Sequence, residues 1–167
     1  MQQLNQGATL QNGKYRIEKV LGQGGFGITY LATQTVLGNK VAIKELFMQG
    51  VNDRQDSSVT VSNNANSNLF AHQKRKFVKE AQRIAGLDNK HIVKVHDMFE
   101  ENDTAYYVMD YIEGESLQDV ITHHHGALAE SSVRDYLNQI LSALSVMHQH
   151  SIWHLDIKPA NIMLDKN

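Results

Sequence analysis

From Tyr15 onward the chain alternates apolar and polar positions. "YRIEKVLG" alternates until a glycine cluster interrupts it, "FGITYLAT" resumes the pattern, and after a turn at Gly38-Asn39 "KVAIKELF" gives a third such run. Period-two alternation punctuated by glycines predicts an antiparallel meander. "HIVKVHDMFEE" and "TAYYVMDYIEG" predict two more strands around an Asn102-Asp103 turn. Helical spacing appears in "LFAHQKRKFVKEAQRIAGL", where Phe77, Ala81, Ile84 and Ala85 share one face and Lys74, Arg75, Lys76, Lys79 and Arg83 fill the others. A basic face of this kind reads most simply as solvated. The longest helical pattern is "AESSVRDYLNQILSALSVMHQH", with Val133, Leu137, Ile140, Leu141, Leu144 and Met147 on one side. "SLQDVITHHHG" predicts a short helix capped by Ser116. Its histidine run, His123–His125, reads as a solvated helix end, because three adjacent residues do not face one metal from a regular helix.

Two segments lack periodicity. Residues 1–12 are polar and Gln/Asn-rich, and read as a loose leader. The Asn- and Ser-rich stretch "MQGVNDRQDSSVTVSNNANSNL" reads as a long excursion or mobile loop, an insertion near 49–70. The domain reading is therefore a leader (1–12), a strand-rich part (13–111) and a helix-rich part (112–167).

Composition narrows the class. Of 167 residues, 41% are hydrophobic and 20% charged, enough to bury a core in one domain or two small lobes. A net charge of -2 gives no electrostatic case for nucleic acid or an anionic membrane as main partner. With no cysteine, disulfides, thiolate metal sites and thiol catalysis are excluded. The first residues show no signal-peptide pattern, and no run approaches the roughly 20 apolar residues of a membrane helix. A cytoplasmic protein is the expectation.

Four local signals carry chemistry. "LGQGGFG" sets Gly22-x-Gly24-x-x-Gly27 between two strands, where glycines let backbone N–H groups approach phosphate oxygens. A plain glycine-rich hairpin would look the same, and a dinucleotide fold would need a helix after the glycines. "VAIK" puts Ala42 and Lys44 on one strand face, a small residue beside a cation, although an ordinary edge-strand lysine reads alike. Glu80, on the first long helix, could pair with Lys44 or form a weak surface pair. "HLDIKPAN" collects Asp156, Lys158 and Asn161 in one loop: a carboxylate for a hydroxyl, a cation for a phosphoryl group and an amide oxygen for magnesium. A capped turn would explain the same residues. His154 reads as structural rather than as a base.

In this order the signals resemble the eukaryotic-like protein kinase family, from about Tyr15 to Leu164, in its bacterial, Ser/Thr-specific form. "HIVKVHDMF" and "YYVMDYIEGESL" resemble the family's fourth strand, fifth strand, hinge and following helix. The resemblance implies an α+β fold: a small lobe of five antiparallel strands plus one helix, joined by a hinge to an incomplete, mainly helical large lobe. It implies ATP and Mg2+ as cofactors and a protein substrate. Gly22, Gly24 and Gly27 would cover the phosphates, and Lys44 would contact them and pair with Glu80. Leu21, Thr29 and Ala42 would line the nucleotide, with Met109 as gatekeeper and the Asp110 and Ile112 backbone on the adenine. Asp156 would be the catalytic base, Lys158 the phosphate-steadying cation and Asn161 the magnesium ligand.

Departures from the family pattern limit the expectation. Leu155 replaces the arginine of His-Arg-Asp, which puts control by an activation-loop phosphate in doubt. Thr29 replaces a valine. The chain ends at Asn167, before an Asp-Phe-Gly, so it reads as a kinase truncated ahead of that motif and weak or inactive alone. The competing reading is a non-catalytic nucleotide-binding or protein-interaction module. Self-association is expected through the face of helix 131–150 bearing Leu137, Ile140, Leu141 and Leu144.

Overall fold

The computed structural model describes residues 2–25, 27–61 and 63–166; Met1, Phe26, Ser62 and Asn167 lie outside it. Two compact units divide the chain: Met1–Gly86 with Lys94–Tyr111, and Leu87–Val93 with Ile112–Asn167.

The first unit is built on a six-stranded antiparallel sheet. Its strands are β1 (Thr9–Leu10), β2 (Tyr15–Gly24), β3 (Gly27–Gln34), β4 (Lys40–Leu46), β7 (Val95–Glu101) and β8 (Thr104–Asp110), in the order β1-β2-β3-β4-β8-β7. Five of these are the alternating runs of the sequence, and β1 adds a short edge. Asn102 and Asp103 both have positive φ (53° and 61°), which matches the twist of a two-residue hairpin. β4 lies centrally, with Lys44 opposite Thr29 on one side and Tyr107 on the other, and Ala42 opposite Leu31 and Met109. Because side chains alternate, Thr29, Ala42, Lys44, Tyr107 and Met109 share one face of the sheet, while Ile43 and Glu45 project from the other.

The leader is not loose. Leu4 and Leu10 are buried in the core, the Leu4 N–H donates to the Tyr30 hydroxyl at 3.1 Å, and the Gln11 N–H donates to a Glu101 carboxylate oxygen at 2.8 Å. Two isolated leucines in a polar stretch give no period to detect, yet each fills a place against the sheet. The polar excursion is also ordered. It forms a hairpin of β5 (Asn52–Gln55) and β6 (Ser58–Val61), turning at Asp56 with φ 54°. Helix α1 (Asn64–Ala85) follows, starting earlier than the hydrophobic spacing indicated. The Asn63 side chain caps it, accepting from the Asn66 N–H at 2.8 Å. Phe70, Phe77 and Ala81 form its buried stripe, and the Phe77 ring lies 4.9 Å from that of Tyr107.

The second unit contains β9 (Gly114–Ser116), α2 (Leu117–His123), α3 (Glu130–Gln149), a 3-10 turn (Pro159–Asn161) and β10 (Met163–Asp165), which pairs antiparallel with β9. Ser116 caps α2 in a reciprocal capping box with Asp119. On α3 only Met147 is fully buried, while Leu137 is 50% and Leu141 61% exposed. Leu141, Leu144, Ser145, His148 and Gln149 line an open depression of about 560 Å³.

Candidate active site

Within the first unit, β3, β4 and β8 bring four predicted nucleotide-lining residues to one sheet face: Thr29, Ala42, Lys44 and Met109. Gly22 lies opposite Thr29 at the end of β2, and Leu21 beside it is exposed. The glycines of the loop differ in what constrains them. A Cβ at Gly27 would come within 2.7 Å of the Glu45 carbonyl oxygen and 3.6 Å of Lys44 Cε, so only glycine lets β3 lie this close to β4. At Gly22 and Gly24 a Cβ would meet nothing within 4 Å. Their side-chain space is open.

Lys44 is half-buried, with Nζ 5.6 Å from the centroid of the Tyr107 ring. Among the described residues no ion pair joins Lys44 to Glu80, which is exposed on α1. Both act instead on the Tyr107 hydroxyl. Burial pushes that hydroxyl above its ordinary value, Lys44 opposes the shift, and Glu80 adds to it. Tyr107 was not among the residues singled out from the sequence. Its alternation position marked it as facing Lys44, but an aromatic in a strand normally signals only core.

At the end of β8, Asp110 points its side chain away from that face. One carboxylate oxygen meets His96 Nε2 at 2.5 Å, the other accepts from the Lys94 N–H at 3.2 Å, and the Asp110 N–H donates to the Lys94 carbonyl at 3.0 Å. Ile112, half-buried at the start of the second unit's main segment, forms no hydrogen bond from its N–H among the described residues. That donor is open to a ligand acceptor.

The second unit assembles the catalytic-loop candidates after α3. Leu155 has φ 63°, an uncommon region for a branched residue, and the residue is 93% exposed. This turn presents the Asp156 N–H to His154 Nδ1 at 3.3 Å, so His154 serves as an acceptor within the loop. Asp156 Oδ2 meets Lys158 Nζ at 2.9 Å and accepts from Asn161 Nδ2 at 2.9 Å, and the same amide nitrogen reaches the Asp156 carbonyl at 2.9 Å. The Lys158 hydrogen bond, then that from Asn161, holds the Asp156 carboxyl below the usual aspartate value. Asp156 is therefore an anion at neutral pH. With its nitrogen turned to Asp156, Asn161 directs its amide oxygen elsewhere, a hard donor suited to magnesium. Among the described residues no cluster of three His, Asp or Glu side chains could hold a metal by itself.

Gly114 is a second close approach that the sequence did not announce. A Cβ there would lie 1.8 Å from the Leu164 carbonyl oxygen. The β9–β10 ladder, with Leu164 opposite Glu115 and Asp165 opposite Gly114, closes the chain directly behind Asn161.

A sheet with a glycine-rich β2–β3 connection and a lysine on the next strand, and a loop holding Asp, Lys and Asn after a long helix, are the elements of a protein kinase-like fold. The protein kinase domain family matches residues 15–167, and the chain belongs to it. Serine/threonine-protein kinase PrkC of Bacillus subtilis (strain 168) is 38% identical over 154 residues, covering 92% of this chain and 21% of that protein. Serine/threonine-protein kinase pkn2 of Myxococcus xanthus is 31% identical, covering 93% of this chain and 16% of that protein. The chain thus spans about a fifth of the length of these relatives. Among solved structures, the apo form of PpkA-294 superposes with a TM-score of 0.91 at 27% identity, over 99% of this chain and 59% of that one. The Mycobacterium tuberculosis PknI kinase domain gives 0.75 at 25% identity, over 99% and 59%.

Proposed function

We propose that this chain carries the nucleotide-binding and catalytic-loop groups of an ATP-dependent Ser/Thr protein kinase, which moves the γ-phosphoryl group of ATP to a protein hydroxyl. The observation that carries the reading is the Asp156–Lys158–Asn161 cluster, with Asp156 held ionised and tied to both partners at 2.9 Å. A carboxylate held below its ordinary range is a weak base. It orients a substrate hydroxyl and accepts its proton late, which suits a loose phosphoryl-transfer transition state. Lys158, 52% exposed, is free to exchange Asp156 for a phosphoryl oxygen. Magnesium, when bound, neutralises charge on the phosphates, and the Asn161 amide oxygen would be the protein donor from this loop. On the sheet, Lys44 holds the α- and β-phosphates, Gly22, Gly24 and Gly27 shape the loop above them, and Ala42, Thr29, Leu21 and Met109 line the base. The Asp110 carbonyl and the Ile112 N–H take its polar edge. No helix among the described residues is long and apolar enough to cross a membrane. A cytoplasmic location and self-association through the exposed face of α3 belong to the proposal.

The test is transfer of labelled phosphate from ATP to a generic protein substrate, by the chain alone and within its full gene product. The full product is expected to label substrate and its Asp156→Asn variant to be nearly inert. The 167-residue chain alone is expected to transfer slowly. An inert full product with Asp156 intact refutes the enzyme. The second reading is a non-catalytic nucleotide-binding or protein-interaction module. Nucleotide titration with and without Mg2+ separates the two: no binding under either condition supports the protein-interaction module.

A further inference from the structure

On the sheet face opposite Lys44 a carboxylate is completely buried. Glu45 is 0% exposed and accepts from the Tyr30 hydroxyl at 2.6 Å and the Tyr106 hydroxyl at 2.8 Å. Both its oxygens also receive Arg54 Nη2 at 2.6 Å. Arg54 comes from β5, in the polar insertion, and its side chain is 2% exposed. Its Nε donates to the Gln2 carbonyl at 3.0 Å, its Nη1 to the Ser57 carbonyl at 2.6 Å, and its guanidinium lies 5.4 Å from the Phe47 ring centroid. One side chain therefore ties the leader, β4 and the hairpin together.

A buried ion pair is weak warrant for stability, because desolvation offsets the attraction; its better-attested use is to select one arrangement. The connections around this pair show which arrangement is selected. Glu45 adjoins Lys44, and its carbonyl oxygen is the atom that a side chain at Gly27 would strike. The hairpin leads directly into α1 through the Asn63 cap, and the Asn66 amide donates to the Val51 carbonyl at 3.4 Å. On the other side of the sheet, α1 sends Phe77 onto Tyr107, the residue beside Lys44. The insertion thus spans the strand that carries the phosphate-binding lysine and the helix that carries Glu80.

We propose that Arg54 is a positioning residue: by clamping Glu45 it braces the start of α1 against β4, so that Lys44 and the Gly22–Gly27 loop keep one arrangement toward nucleotide phosphates. The functional half rests on the nucleotide reading of Lys44 given above.

The experiment compares the 167-residue chain with a double variant, Arg54→Met with Glu45→Gln, which removes both charges while keeping volume. Hydrogen exchange along α1 and titration with a fluorescent ATP analogue in Mg2+ are the readouts, with thermal unfolding as control. A pair that serves only stability would shift the melting midpoint and leave the other two unmoved at temperatures where the variant is folded. The brace predicts that exchange in the first half of α1 quickens and analogue affinity falls, each by about tenfold, in a variant that melts near the parent. Unchanged α1 exchange in a folded double variant overturns the brace. If the parent binds no nucleotide, the reading of Lys44 fails, and the exchange result still decides whether Arg54 holds α1. If the double variant does not fold, Arg54→Lys, which keeps the charge but loses the guanidinium fork, is read by the same exchange measurement. Exchange equal to the parent's then counts against the proposal.

Discussion

Replacing Gly114 with alanine tests whether β9–β10 holds the catalytic loop in shape. The new methyl would lie 1.8 Å from the Leu164 carbonyl oxygen and 2.8 Å from its carbon. Real Cβ contacts essentially never fall below 3.0 Å, so the two strands must part by more than an ångström. The flanking bonds, Leu117 N–H to Ile162 at 2.8 Å and Lys166 N–H to Glu113 at 3.2 Å, do not survive such a shift. Losing two or three backbone hydrogen bonds at ~0.5–1.5 kcal/mol each gives about 1–4.5 kcal/mol. Reduced freedom of the unfolded chain returns ~0.4–1 kcal/mol. The net loss is local and below a typical stability of about 5–15 kcal/mol, so the variant should still fold. The Asn161 side chain, just ahead of β10, would lose its fixed approach to Asp156. Misplacement by an ångström can cost ~10² in rate. Hydrogen exchange at Leu117 and Lys166 measures the ladder, and phosphotransfer by the full gene product measures the loop. Parental protection at both amides would refute the steric argument. An opened ladder with parental activity would refute its link to the site.

Other outcomes follow from the same geometry. Lys158→Ala should let the Asp156 carboxyl rise toward the ordinary aspartate value of 3.8, because Lys158 is the largest cause holding it down; carboxyl-carbon NMR titration reads this. Since the folded value is lowered, the Asp156 contribution is present above the unfolded value and is lost only as pH falls through the folded one. Acid inactivation near pH 5 should therefore not trace to Asp156, and a carboxyl titrating there would contradict the loop geometry. Lys44→Met should weaken binding of an ATP analogue about tenfold or more, as loss of a charge-assisted contact predicts; unchanged affinity would remove Lys44 from the site. Leu141→Glu on the exposed face of α3 should reduce self-association at micromolar concentration by light scattering, without lowering the melting midpoint, because Leu141 is already 61% exposed.

The sheet was legible in the sequence because β2 alternates and β3, β4, β7 and β8 are short apolar-rich runs bounded by turn residues, although β4 and β8 are buried on both faces. The Ser116 cap was legible for the same local reason. What escaped notice depends on remote contacts. The β5–β6 hairpin has only four residues per strand and little apolar content, and Arg54 finds its carboxylate on β4, outside the insertion. The first turns of α1 are written in Asn and Ser, poor helix formers, and are held by the Asn63 cap and the hairpin rather than by propensity. Gly114 reads as an ordinary hinge glycine until Leu164 is seen against it. Of the candidate site, the sequence placed Asp156, Lys158 and Asn161 in one loop, where a capped turn read equally well, and their roles came from the family resemblance. The Lys44–Glu80 pair, left open against a solvated surface charge by the residues and favoured by the resemblance, is not formed among the described residues, where Lys44 lies over the Tyr107 ring.

β4 explains why a polar insertion sends one charged side chain, that of Arg54, into the core. Its alternation sends Ala42 and Lys44 to one face and Ile43 and Glu45 to the other, and a slip of one residue would exchange the two sets. Such a slip would bury a lysine among Tyr30, Tyr106 and Arg54 and turn the carboxylate to the face that now carries Lys44. Hydrophobic pattern alone guards weakly against it, since Val41, Ala42 and Ile43 are all apolar and all buried. The discriminating contacts are polar: two tyrosine hydroxyls and a guanidinium that donate to the carboxylate at position 45. A cation on one face is thus kept in register by a buried anion on the other, and the segment that supplies the anion's partner also begins the helix behind the lysine.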